Sequence, residues 1–171
     1  LVLPSVSKEK PAVIGISIGT QMQLMAGLTF CKMIKESFPE IRVVVGGNVV
    51  TRLQEEWAHH ERFFTEVFDA AILYEGEHAL LWFLEAVNGQ RAMEQVPNLM
   101  YRDADGVKQS KEVYTEKTAA LPLPDFDGLP LDRYFVPERI IPYLATRGCY
   151  WGRCRCGYGF SCRHDSKSCS W

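Results

Sequence analysis

The first half of the chain alternates between two hydrophobic patterns. Short runs of aliphatic and β-branched residues, PAVIGISI at 11–18, IRVVVGG at 41–47 and DAAILY at 69–74, have the continuous apolar character of strands buried on both faces. Between the first two runs the period changes. Leu24, Leu28, Cys31, Ile34 and Phe38 recur at three- and four-residue intervals, with Lys32, Lys35 and Glu36 among them. This predicts an amphipathic helix from Thr20 to about Phe38, stopped by Pro39, with Cys31 as a core residue of its apolar stripe. A weaker helical stretch covers 50–60. After the third run, Glu75-Gly76-Glu77 opens another helix, with Leu80, Phe83, Leu84 and Val87 as its buried face and Asn88-Gly89 at its end.

Strand and helix in regular alternation predict an open parallel α/β sheet. Ligands of such sheets bind beyond the carboxyl ends of the strands. The loops at that edge are 17–20, 46–48 and 75–77. Each has two readings on its residues alone. Gly46-Gly47 suits either a tight turn or a ligand's close approach, and Glu75 and Glu77 suit either a ligand or the positive end of a helix. Beyond this segment, NLMYR at 98–102, DADG at 103–106 and the residues from Val107 onward read as a β-hairpin with an Asp-Gly turn. LPLPDFDGLP at 121–130 is too rich in proline for helix or central strand and reads as an ordered linker or domain boundary.

Composition narrows the picture. Apolar content of 47% and charged content of 23% are those of a soluble globular protein. A formal net charge of −2, with no basic block, gives no nucleic-acid footprint, and no apolar run approaches the length of a membrane span. No signal-peptide pattern opens the chain, which starts without methionine and is read as an interior piece of a longer polypeptide. Of six cysteines, those at 149, 154, 156, 162 and 169 crowd the C-terminal end, which argues for a reducing, cytoplasmic compartment and a local metal site rather than a disulfide framework.

IIPYLAT at 140–146 reads as a strand, although Pro142 suits a central position poorly. RGCYWGRCRC follows at 147–156. Cys149, Cys154 and Cys156 on a Gly-rich loop point to a shared metal or cluster. With Cys162, His164 and Cys169 nearby, tetrahedral zinc competes with iron–sulfur, although paired Cys-x-x-Cys knuckles are absent from the sequence. Residues 161–171 are polar and aperiodic, as in a disordered tail.

Taken in order, VIGISIGT, RVVVGGN, YEGEH, the Pro-Asp connector and ATRGCYWGRC resemble the radical S-adenosylmethionine (SAM) enzymes that carry an upstream cobalamin-binding domain, and the resemblance covers nearly the whole chain. It implies an open parallel Rossmann-like cobalamin-binding sheet, incomplete at its N-terminus, over 1–97. A hairpin and Pro-rich connector would follow over 98–138, and the first strand and cluster loop of a radical SAM (β/α) barrel over 139–171. By the same resemblance Ser17, Thr20, Gly46 and Gly47 approach the nucleotide tail of the corrinoid, and Glu75, Gly76 and Glu77 match an acidic-glycine loop of the family. Cys149, Cys154 and Cys156 would ligate a 4Fe–4S cluster whose open iron holds SAM. Cys154 and Cys156 are separated by one residue where the family has two, so they share a cluster only if the backbone bends between them. His59, His60 and His78 do not match the family's cobalt-ligating motif, and solvated or helix-end roles suit them better.

The implied activity of the parent protein is methyl transfer to an unreactive carbon through a 5′-deoxyadenosyl radical, with ring rearrangement or another radical reaction as runner-up. A small-molecule or peptide substrate and an electron donor such as flavodoxin or ferredoxin are implied with it, and neither nucleic acid nor membrane. The 171 residues alone, with one barrel strand, are expected to be inactive. A non-catalytic corrinoid-binding module and a zinc-stabilised interaction domain remain the alternatives of a different class.

Overall fold

The computed structural model describes residues 2–141. The strand expected over 140–146 and the cysteine segment, with Cys149, Cys154 and Cys156, lie outside or run beyond the described residues. The described residues divide between two units, with the boundary between Thr115 and Glu116.

The first unit is built on one five-stranded sheet, ordered β1-β2-β3-β4-β5: β1 (Val13–Ser17), β2 (Arg42–Gly46), β3 (Ala70–Ile72), β4 (Leu99–Asp103) and β5 (Gly106–Gln109). β1, β2 and β3 run parallel, as expected, while β4 pairs antiparallel with β3 and β5 antiparallel with β4. The sheet is therefore mixed, and the purely parallel expectation is corrected. The hairpin grouped with the connector on sequence grounds instead completes this sheet. Leu99 and Met100 are wholly buried in it, so burial of the apolar half of β4 holds the hairpin in place. The turn residues are Ala104 and Asp105, and the positive φ (118°) falls on Gly106. Asp103 Oδ1 accepts the Asp105 N–H at 2.8 Å.

Helices α1 (Val2–Glu9), α2 (Gln21–Ser37), α3 (Asn48–Arg52), α4 (Gln54–His59), α5 (Arg62–Glu66) and α6 (Glu77–Val87) complete the unit. α2 matches its periodicity: Cys31 and Ile34 are buried, and Leu24, Leu28 and Phe38 pack against the same core. That core also takes Val43, Val45 and an aromatic group, in which Trp57 and Phe64 meet Phe68 edge-on at 5.8 and 5.0 Å. Burial pushes the Cys31 thiol up to about 11, which makes it an inert core residue. The opposite face of the sheet gathers Val44, Ala70 and Ile72 with Ala79 and Phe83 of α6.

The buried stripe of α6 differs from the expected one. Ala79 and Phe83 face the sheet, Leu84 and Val87 are half-buried, and Leu80 is 39% exposed. The small Ala79 lets the helix approach closely and turns Leu80 to the edge of the contact. His59 and His60 are exposed at the end of α4. His78 is half-buried in the first turn of α6, a helix-end position, against Trp82 and Tyr114.

In the second unit the described residues, 116–141, hold two short 3-10 turns, Thr118–Ala120 and Leu131–Arg133. The chain is stabilised locally, by an Asp125 Oδ1 bond to the Asp127 N–H at 2.8 Å and an Arg139–Asp132 pair. Among the described residues no helix is long and apolar enough to cross a membrane.

Candidate functional site

The parallel register builds a site at the carboxyl edge of the first three strands. In a parallel sheet, residues in register present their side chains on the same face. Gly15, Val44 and Ala70 form one such row, and Ser17, Gly46 and Ile72 the next. Both rows lie on the α6 face. α6 covers the β3 end of each row and leaves the β1 end open, so the two glycines, with no side chains, produce a shallow shelf. The cleft above it has a volume of about 460 Å³, with Val44 and Ile72 in its floor and Tyr74, Gly76, Glu77 and Leu80 along its wall.

The glycines play different parts. A Cβ on Gly15 would meet nothing nearer than Val44 Cγ1 at 3.8 Å, so its absence leaves space that a side chain would fill. A Cβ on Gly46 would stand 3.4 Å from the Ile72 carbonyl oxygen, a tight fit. Gly47 is fixed by the protein itself: φ is 105°, and a Cβ there would lie 2.7 Å from the Ile18 carbonyl oxygen. This close approach is where the loops after β1 and β2 lock together, through Ile18 N–H to Gly46 O at 2.7 Å and Val49 N–H to Ile18 O at 3.2 Å.

Of the residues singled out in sequence, Ser17, Gly46, Gly47, Gly76 and Glu77 come together around the cleft, and Thr20 and Glu75 are not in its lining. Thr20 is the N-cap of α2, in extended conformation. Gln23 Oε1 accepts the N–H groups of Gly19 (3.0 Å) and Thr20 (3.1 Å), so these amides are already used within the loop. The Glu75 carbonyl accepts a bond from the Asn98 side chain at 2.9 Å. Glu77 stands in the first turn of α6, where a carboxylate is favourable.

Several contributors escaped the sequence reading. Gly15 carried a signal, an isolated glycine within a strand pattern, which marks close backbone approach. Tyr74 carried none: its φ of 60° is a left-handed conformation unusual for a tyrosine. Leu80 was assigned to the buried face. Among the described residues no group of three or more His, Cys, Asp or Glu is placed to hold a metal ion. The cleft offers an apolar floor at Val44 and Ile72 and polar groups at Ser17 and Glu77.

The architecture is thus an open α/β sheet with an uncovered shelf at its carboxyl edge. No protein-family model matches the chain. Over 148 residues it is 26% identical to an uncharacterized methyltransferase, PH0819, of Pyrococcus horikoshii; the match takes in 84% of this chain and 31% of that protein. The chain therefore spans about a third of that relative's length. Two solved structures share the fold. One is TsrM from Kitasatospora setae, a radical SAM methyltransferase with tryptophan substrate and a SAM analogue bound (TM-score 0.52, 15% identity, 64% of this chain and 21% of that one). The other is OxsB, a cobalamin-dependent SAM radical enzyme with aqua-cobalamin and SAM bound (TM-score 0.52, 21% identity, 67% and 16%). At these identities the likeness establishes the fold that the chain shares with parts of those enzymes.

Proposed function

We propose that the first unit is the corrinoid-binding part of a cobalamin-dependent radical SAM enzyme, and that the parent protein transfers a methyl group to an unreactive carbon. The observation that carries this reading is the row Ser17–Gly46–Ile72 beside Gly15 and Val44, where the two glycines leave a shelf with an apolar floor at the edge where open α/β sheets bind ligands. A planar heteroaromatic tail fits such a surface, because burial against Val44, Ile72 and Leu80 rewards its faces while Ser17 and Glu77 meet its polar edge. The methyltransferase name of the P. horikoshii relative and the bound cobalamin of OxsB support the same reading. When bound, a corrinoid supplies a cobalt-held methyl group for transfer. This chain's own residues bind and orient the tail, and α6 shields it from water on one side. In the same proposal Cys149, Cys154 and Cys156 ligate a 4Fe–4S cluster that holds SAM.

Two measurements test the proposal. The protein incubated with hydroxocobalamin and passed through gel filtration is expected to retain the corrinoid absorption band; loss of the band overturns the first half. Anaerobic reconstitution is expected to leave about four irons with labile sulfide per chain. About one zinc and no iron would instead show the cysteine segment to be a structural zinc site.

A further inference from the structure

Three of the buried polar side chains among the described residues, Thr51 (2% exposed), Gln54 (4%) and Asn98 (2%), converge on one turn, residues 73–76, between β3 and α6. The turn forms the wall of the shelf, and it is strained. Tyr74 at φ 60° holds a left-handed conformation that tyrosine adopts only when its surroundings impose it. The hydrogen bonds show what imposes it. The Tyr74 N–H donates to Thr51 Oγ1 at 2.8 Å, and the Thr51 hydroxyl donates to the Gly47 carbonyl at 3.3 Å. One hydroxyl therefore joins the loop after β2 to the loop after β3. The Tyr74 hydroxyl donates to Gln54 Oε1 at 2.8 Å, and Gln109 Nε2 donates to the same oxygen at 3.3 Å.

Asn98 closes the turn from the other side. Its Nδ2 donates to the carbonyls of Glu75 (2.9 Å) and Tyr114 (2.8 Å), and its Oδ1 accepts the Tyr114 N–H at 2.9 Å. Its own backbone carbonyl accepts the Leu73 N–H at 2.8 Å, and its N–H donates to Glu112 O at 3.2 Å. Asn98 is itself left-handed, with φ 58°, which asparagine tolerates better than most residues. No buried side-chain nitrogen or oxygen among the described residues lacks a partner. A fully satisfied buried network fixes one geometry, because every alternative leaves a polar group unpaired in the core.

We infer that Thr51 and Asn98 are positioning residues: they hold the 73–76 turn in its left-handed form, so that Tyr74, Gly76 and Glu77 stand at a fixed height above the Ser17–Gly46–Ile72 row. This rests on the proposal that the shelf takes the nucleotide tail of a corrinoid, but the effect on the turn is measurable without any ligand. Thr51→Val keeps the shape and removes both bonds of the hydroxyl, and Thr51→Ser restores the hydroxyl. Asn98→Asp keeps the acceptor and removes the two donors, and serves as the second variant.

The test combines amide hydrogen exchange with titration by hydroxocobalamin and by cobinamide, which lacks the nucleotide tail. In Thr51→Val, exchange is expected to rise about tenfold in the peptide spanning 73–77 while the Val43–Val45 strand stays protected, as loss of the bond from the Tyr74 N–H implies. Asn98→Asp loosens the same peptide, and Thr51→Ser returns to the wild-type pattern. Hydroxocobalamin affinity falls about tenfold in Thr51→Val, cobinamide affinity does not change, and Thr51→Ser recovers it. Unchanged exchange at 73–77 in both variants, or a rise spread evenly over the sheet, would overturn the positioning role. A wild-type protein that binds hydroxocobalamin no better than cobinamide would overturn the tail-binding reading, while the exchange result still decides the role of Thr51 and Asn98.

Discussion

The two flanks of the sheet are built from similar parts and finished differently. On the β3 side the hairpin β4–β5 and α6 seal the sheet: Ala70, Ala71, Leu99 and Met100 are at most 1% exposed. On the β1 side the strand is an edge among the described residues, Val13, Ile14 and Ile16 are only half-buried, and α2 turns Met22 (94% exposed) and Met25 (73%) to the outside. The shelf lies where sealed flank meets open flank. A binding surface requires both: a rigid wall whose geometry the core dictates, and apolar floor that the protein leaves uncovered. The comparison therefore places stability at β2, β3 and their aromatic support, and the uncovered part of the cleft at Gly15, Ser17 and Gly46.

The sharpest way to break that division is to attack the sealed core. Phe68 is wholly buried among Trp57, Phe63 and Phe64. Phe68→Ala is expected to cost about 3–5 kcal/mol, read from urea unfolding, whereas Leu24→Ala on the half-buried side of α2 should cost clearly less. Equal costs would mean that the open flank is as tightly packed as the sealed one. A smaller effect separates the glycines. Gly47→Ala meets both a positive φ and the Ile18 carbonyl, for an expected loss of about 1–3 kcal/mol. Gly15→Ala enters open space, so it should leave stability within about 0.5 kcal/mol and instead weaken hydroxocobalamin retention. A Gly15→Ala protein that binds as well as wild type would remove Gly15 from the shelf.

Why the glycines differ also shows what the sequence could reveal. α2 and β2 are legible because each carries its full hydrophobic period, and Pro39 and Asn88-Gly89 mark real ends. β1 is found where its apolar run predicts, but it is not buried on both faces as expected, Gly15 and Ser17 being exposed. α5 spans five residues, too few to display a period. α1 is hidden by Pro4, which a helix accepts in its first turn. The paired glycines stood out, but their spacing could not distinguish Gly46, which lines the cleft, from Gly47, whose missing Cβ makes room for the Ile18 backbone. The network around Tyr74 was illegible for a simpler reason. Thr51 and Tyr74 lie 23 residues apart, as do Glu75 and Asn98, and only the folded sheet brings them together.

The smallest expected effect tests the open flank itself. From Gln21 to Cys31, α2 has no charged residue, and Met22, Met25, Ala26, Thr29 and Met33 fall on its outward side. An exposed methionine loses no burial when replaced by glutamine, and the two have similar helix propensity. Met22→Gln and Met25→Gln should therefore each change unfolding free energy by less than about 0.5 kcal/mol. A loss near the 2 kcal/mol typical of a buried methionine would show that these side chains are covered by protein in solution. The outward side of α2 would then be an interface rather than a solvent-facing surface.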